Sequence, residues 1–190
     1  MRDEWFIRGN VPMTKCEVRA VAIAKLELRP DSILYDVGAG TGSVSIEAAL
    51  QMRKGRVYAV ERNEEAVDLI LANKKKFHGE QVTVIHGSAP ESLVSLPVPT
   101  HVFLGGSGGK MEPVIKLVLE KNPSVRIVAN VIALESLCRI LSLTKALGLS
   151  AEVVSVWVAR GERKGNCHLM KGQNPVYIIS MGGADQWEER

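Results

Sequence analysis

The run Asp36-Val37-Gly38-Ala39-Gly40-Thr41-Gly42 constrains this chain more than any other feature. A strand-like segment, Ser32 to Val37, leads into it, and a helical segment starts at Ser43. Three glycines in five residues are needed where a turn takes backbone angles that side chains resist, and where a ligand must approach the main chain. In a parallel sheet such a turn lies at the carboxyl ends of the strands, beside a helix N-terminus, which is where ligands of this architecture bind. The spacing departs from the dinucleotide pattern, which needs Gly or Ala three residues after Gly40 and here finds Ser43.

The rest of the chain supplies the sheet that the turn needs. Runs rich in Val, Ile and Leu read as strands over Ser32 to Val37, Arg56 to Val60, Val82 to His86, His101 to Leu104 and Arg126 to Val131. Helices fit between them over Ser43 to Met52, Glu64 to Lys76 behind an Asn63 cap, Met111 to Glu120, and Leu134 to Ala146 ending at Gly148, with a short turn after Pro90. An earlier helix starts near Lys15, capped by a Thr14-x-x-Glu17 box and ended by Pro30. After Gly148 the helical period stops. Val153 to Val158 and Val176 to Ser180 read as two strands that pair antiparallel across a polar connection. The expectation is an α/β, Rossmann-like fold: seven strands, mostly parallel with the last antiparallel, and helices on both faces. The 190 residues, 46% hydrophobic, suit one domain over 1–190. It comprises an N-terminal segment and helix (1–30), the βα units (31–148), the terminal hairpin region (149–183) and a tail (184–190).

Composition narrows the function classes. A net charge of +3 lacks the dense basic stripe of a nucleic-acid binder and suits an acidic small substrate. Cys16, Cys138 and Cys167 are odd in number and far apart, so neither a disulfide framework nor a metal site is expected. No apolar run reaches membrane-spanning length, and the N-terminus lacks a signal-peptide core, so a cytoplasmic protein is expected.

Glu61 ends the second strand, where a carboxylate accepts hydrogen bonds from both hydroxyls of a ribose. That marks a nucleoside-type ligand without choosing among cofactors, since NAD enzymes place an acid there too. The acid-x-Gly-x-Gly-x-Gly form resembles the methyltransferases, in which the turn cradles the methionine portion of S-adenosylmethionine. By that resemblance Gly38, Ala39, Gly40, Thr41 and Gly42 hold the cofactor, with Ser88 and Ala89 at the adenine. Ser88 stands where an Asp is usual, which leaves a hydroxyl or the Ala89 amide for the ring. The fourth strand ends in Gly105-Gly106-Ser107-Gly108-Gly109, whose exposed amides suit an acceptor carboxylate. A phosphate loop would need Gly at Leu104 and Ser or Thr at Met111.

A more specific resemblance runs through Val11-Pro12-Met13-Thr14-Lys15, Asp36 to Gly42, Ala89-Pro90-Glu91, Gly105 to Gly109, Ala159-Arg160-Gly161 and Asn174-Pro175. In this order they resemble the decarboxylating cobalt-precorrin-6B methyltransferases of corrin biosynthesis, the CbiT family. The resemblance implies methylation of carbon 15 of a precorrin-type tetrapyrrole carboxylic acid, with loss of carbon dioxide from the acetate on ring C. It also implies a homotetramer, a carbon-5 precorrin methyltransferase as functional partner, and Thr14, Gly38 to Gly42, Glu61 and Ala89 as cofactor contacts. Gly106, Ser107 and Arg160 are then the expected substrate contacts, with Arg163, Lys164, Arg8 and Lys171 as further basic candidates for the carboxylates.

Methyl transfer from a sulfonium needs an aligned carbon nucleophile rather than an enzyme-bound intermediate, so no nucleophilic residue is assigned. His86, His101 and His168 are the candidate proton carriers; the strand positions of the first two favour ordinary packing. Two other readings stay open. Asn174-Pro175-Val176-Tyr177 resembles the Asn-Pro-Pro-Tyr of adenine amino-group methyltransferases, although it precedes the last strand where that class has it after the fourth, which leaves a transfer-RNA adenine methyltransferase as the enzymatic alternative. A non-catalytic nucleotide-binding module is the other.

Overall fold

The computed structural model describes residues 1–106 and 108–183. Helix α1 (Cys16–Leu26) leads into strand β1 (Ile33–Val37), and the chain then alternates through α2 (Ser43–Ala49), β2 (Arg56–Glu61), α3 (Glu64–Lys76), β3 (Val82–His86), β4 (His101–Leu104), α4 (Met111–Lys121), β5 (Arg126–Val131) and α5 (Leu134–Ala146). Four further strands follow: β6 (Ala151–Val156), β7 (Ala159–Lys164), β8 (Cys167–Gly172) and β9 (Val176–Gly182). Seven of the strands form one sheet in the order β3-β2-β1-β4-β5-β9-β6. Strands β1 to β5 run parallel, and β9 runs antiparallel to both β5 and β6. The order reverses between β1 and β4, so the loops leaving these two strands part and open a crevice at their carboxyl ends.

Alternation along each strand divides the core. Leu34, Ala59, Phe103, Val128 and Ile178 pack under α1, α2 and α3, whereas Tyr35, Val60, Val102, Ile127 and Ile179 pack under α4 and α5. The parallel strands β1 and β4 are buried on both faces, with Asp36 and His101 as the polar residues among their apolar ones. Asn63 caps α3 by accepting a hydrogen bond from the Ala66 amide at 3.0 Å.

Several expectations need correction. The Thr14-x-x-Glu17 capping box does not form: Lys15 is the N-cap, without a side-chain bond. Glu17 is drawn instead to Arg160, and the Thr14 carbonyl accepts from Arg19. Helix α1 ends at Leu26, with Glu27 left-handed, before Pro30 can act, and α2 stops at Ala49 rather than Met52. The polar connection after β6 is itself a hairpin, β7 paired antiparallel with β8, standing apart from the main sheet.

Residues 1–15 form a strap across α2 and α3. Buried Asn73 of α3 bonds both the Ile7 amide and the Ile7 carbonyl, and also the Thr41 carbonyl, which ties the strap to the glycine turn. Asn10 donates its amide to Glu65 at 3.1 Å. Arg19, fully buried, bonds Asp3, Glu47 and the carbonyls of Met1 and Thr14, which pins the strap at both ends.

Candidate active site

One cleft of about 1580 Å³ opens at the crevice. Thr14, Gly38, Ala39, Gly40, Thr41, Glu61, Ser88, Ala89 and Gly106 all line it, so the strap, three strand ends and the fourth-strand loop converge on one space. Gly42 does not line it. A Cβ on Gly42 would sit 3.0 Å from an Ile70 methyl, so this glycine serves the packing of α2 on α3. Ser107 lies outside the described residues.

The turn is closed by its own backbone. Gly38 and Ala39 donate to the Val60 carbonyl, Gly42 donates to Ala39, and Gly40 donates to Glu61 Oε2 at 3.0 Å. The amides of four of the five turn residues are thus already engaged, which leaves little for a pyrophosphate that needs free donors. Glycine is required here by space: Gly38 has φ +73°, and a Cβ on it would fall 2.0 Å from the Gly106 carbonyl oxygen. Glu61 Oε1 accepts the amides of Arg62 and Asn63 at 2.9 and 3.0 Å, which fixes its carboxylate at the cleft wall with lone pairs to spare.

Asp36 is fully buried and lines the cleft. Oδ2 accepts from Ser45 Oγ at 2.5 Å, while Oδ1 has no partner. Burial pushes its carboxyl up to about 7, reinforced by the charge of Glu61 and opposed by the Ser45 bonds. An acid whose folded value lies above its unfolded one stabilises fully below about pH 4, and that contribution is lost as pH rises through about 7. The ligand-free protein should therefore lose Asp36's contribution between about pH 4 and about pH 7, and Asp36→Asn should remove that component of the slope in urea unfolding. An unchanged slope would mean that Asp36 does not carry it.

The basic groups at the cleft differ from those expected. Arg160 is 36% exposed at its side chain and is spent on Glu17 at 2.7 Å and Asp3 at 3.2 Å; it does not line the cleft. Its guanidinium holds the Glu17 carboxyl well below the usual range. Arg8, Arg163, Lys164 and Lys171 do not line the cleft either, whereas Lys15, Arg62, Lys110 and Arg139 do. Arg62 lies against the acceptor loop, its guanidinium 3.1 Å from where a Gly108 Cβ would stand. Of the histidines, His101 is buried, bonds Thr100 at 2.8 Å and is pushed down to about 4 by burial. His86 is exposed rather than packed, its ring 3.2 Å from the Arg62 carbonyl, and His168 is exposed on β8. The three cysteines are free, and among the described residues no group of three or more His, Cys, Asp or Glu is arranged to hold a metal.

Residues 4–182 match the model of the precorrin methyltransferase domain family. The chain belongs to this family. A probable cobalt-precorrin-6B C(15)-methyltransferase (decarboxylating) of Pyrobaculum calidifontis is 49% identical over 181 residues, 94% of this chain and 93% of that protein. The Salmonella typhimurium protein of the same activity is 40% identical, covering 95% and 94% of the two chains. Among solved structures, the precorrin-6Y C5,15-methyltransferase of Geobacter metallireducens superposes with a TM-score of 0.90 at 39% identity, covering 96% and 97% of the chains. The Rossmann-like methyltransferase fold is therefore the fold of this family member.

Two kinds of cleft residue fall outside the substrate contacts expected from the sequence. Lys15 lies inside the Val11 to Lys15 motif and Arg62 follows Glu61, so position beside cofactor residues is the signal both carry. Arg139 and Asn130 gave none, since a helix-surface arginine and an asparagine in an apolar strand read as ordinary.

Proposed function

We propose that this chain transfers the methyl group of S-adenosylmethionine to carbon 15 of cobalt-precorrin-6B, or of its metal-free counterpart, with loss of the ring C acetate carboxyl as carbon dioxide. The observation that carries this reading is the single cleft, in which a glycine turn with engaged amides faces the acceptor loop across Gly38 and Gly106. Its volume exceeds that of an ordinary small-ligand site, as a nucleoside cofactor together with a tetrapyrrole requires. The fixed Glu61 carboxylate gives a negative wall suited to a cationic cofactor, and the partnerless Asp36 oxygen beside it is an acceptor left for the ligand. In this reading Gly38 to Thr41 hold the methionine portion, Glu61 the ribose, Ser88 and Ala89 the adenine, and Thr14 closes over them from the strap. When bound, S-adenosylmethionine supplies an electrophilic methyl group. The protein's residues align the acceptor carbon with it and exclude water. Lys15, Arg62, Lys110 and Arg139 complement a substrate rich in carboxylates.

The transfer-RNA alternative loses its motif, because Asn174-Pro175 precedes β9 rather than following β4. Calorimetry with S-adenosylhomocysteine and NAD tests the cofactor. The former should bind, and Glu61→Ala should weaken it by about 10- to 100-fold, the worth of hydrogen bonds to a charged acceptor. Binding of NAD alone would overturn the assignment. Incubation with cobalt-precorrin-6B should then give a product one methyl heavier and one carbon dioxide lighter by mass spectrometry.

The resemblance that names the substrate also implies a cytoplasmic homotetramer and a carbon-5 precorrin methyltransferase as functional partner. No helix among the described residues is long and apolar enough to cross a membrane. The hairpin side of the molecule exposes Trp157 (77%), Met170 (70%) and Leu169, a surface that assembly would cover. Light scattering should give four times the chain mass, and Met170→Asp should lower it. A monomeric wild type would sink the tetramer.

A further inference from the structure

Four buried side-chain oxygen or nitrogen atoms among the described residues lack a hydrogen-bond partner, and two of them are the Oδ1 and Nδ2 of Asn130. The other two, on Asp36 and Thr41, belong to the cofactor half of the cleft. Asn130 lies in the acceptor half. It stands on β5 one residue beyond Ala129, which pairs with Leu104, so it is level with Gly105 and, through the Val37–Leu104 pair, with Gly38. It shares the sheet face of Val128, and its antiparallel partner is Ile178. The carboxamide thus lines the cleft at the depth of the glycine turn.

A buried carboxamide left unbonded costs about 1–3 kcal/mol for each unmade group, so a fold gains nothing by placing one here unless a ligand completes it. Resting on the function proposed above, we propose that Asn130 binds the substrate carboxylate that departs as carbon dioxide, with Nδ2–H donating to it. The choice of a neutral donor follows from the chemistry. In decarboxylation the carboxylate loses its charge in the transition state, and a cation clamped on it would favour the ground state. The cations Arg62, Lys110 and Arg139 are exposed at the cleft and serve the carboxylates that stay. The neutral amide meets the one that leaves.

The step balances without another reactant. The electron pair of the breaking carbon–carboxyl bond passes into the conjugated macrocycle, and a pair from that macrocycle forms the new bond from carbon 15 to the methyl group. The bond from methyl to sulfur breaks with its pair remaining on sulfur. Carbon dioxide and S-adenosylhomocysteine leave. A hydrogen moves within the macrocycle, from carbon 15 to the carbon that bore the carboxyl, and no proton is exchanged overall.

Asn130→Ala and the isosteric Asn130→Asp test this with cobalt-precorrin-6B as substrate, following methyl gain and carbon dioxide release alongside S-adenosylhomocysteine affinity and thermal midpoint. For Asn130→Ala, kcat should fall about 100-fold, because the carboxylate is no longer held with its breaking bond aligned on the conjugated macrocycle. Asn130→Asp should be slower still, because it sets a like charge against the carboxylate. Cofactor-product affinity should stay within about threefold of wild type, and Asn130→Ala should not lower the midpoint, since no bond is lost. A merely structural asparagine would give the opposite order, with the isosteric aspartate the better enzyme and the alanine the less stable protein. That order overturns the inference, as do variants with wild-type kcat or a loss of S-adenosylhomocysteine binding. Failure of the wild type to convert the substrate would overturn the proposed function and this inference with it.

Discussion

Gly38→Ala is expected to destabilise the protein by about 3 kcal/mol or more and to abolish binding of S-adenosylhomocysteine. The left-handed conformation at φ +73° alone costs a side-chain-bearing residue about 1–2 kcal/mol. The added methyl would also lie 2.0 Å from the Gly106 carbonyl oxygen, a backbone atom that cannot rotate away. Either the turn or the acceptor loop must shift, and both form the cleft. Gly106→Ala is the control, because a Cβ there meets nothing within 4 Å and the residue is not left-handed. Urea unfolding of the two variants should separate them, with Gly106→Ala within about 0.5 kcal/mol of wild type. Similar midpoints for both would show that the turn and loop are not locked together.

Arg19→Ala should cost about 3–5 kcal/mol, the usual penalty for removing one member of a buried ion-pair network. Its guanidinium lies 2.6 Å from Glu47 and 3.2 Å from Asp3, and it faces the Phe6 ring at 5.0 Å. Without it, Asp3, 2% exposed, keeps only the outer Arg160 as a cationic partner. The effect should reach the cofactor. The network anchors the strap that carries Thr14 and sets the Pro12 carbonyl over Gly40, so S-adenosylhomocysteine affinity should fall about tenfold. Arg19→Lys should recover only part, since an ammonium cannot serve four acceptors with the geometry of the planar fork. Thermal unfolding and calorimetry measure both effects. Weakened stability with unchanged affinity would mean that the strap does not govern the site.

Most elements were legible because their signals are local. Strands β3, β4 and β5 and helices α3 and α5 start and stop at the residues that periodicity and caps indicate. The glycine turn and Glu61 were legible for the same reason, since a strand end followed by glycines has few uses. The β7–β8 hairpin was not legible. Every residue of it except Arg160 is exposed, so its sequence never needed the alternation that marks a half-buried strand.

The order of the elements, the turn at the switch point and the family are written in local sequence, because these depend on neighbours a few residues apart or on motifs read in line. Which charges are spent and which are free depends on long-range packing. Arg160 and Glu17 are 143 residues apart, yet their bidentate pairing takes the expected substrate cation out of the cleft. Arg19, which reads as a polar position on a helix, is buried because residues 1, 3, 14 and 47 converge on it. Asn130 looks ordinary in its strand and becomes notable only when the fold leaves both ends of its carboxamide without a partner. Burial and pairing are sums over distant segments, and no local pattern carries them.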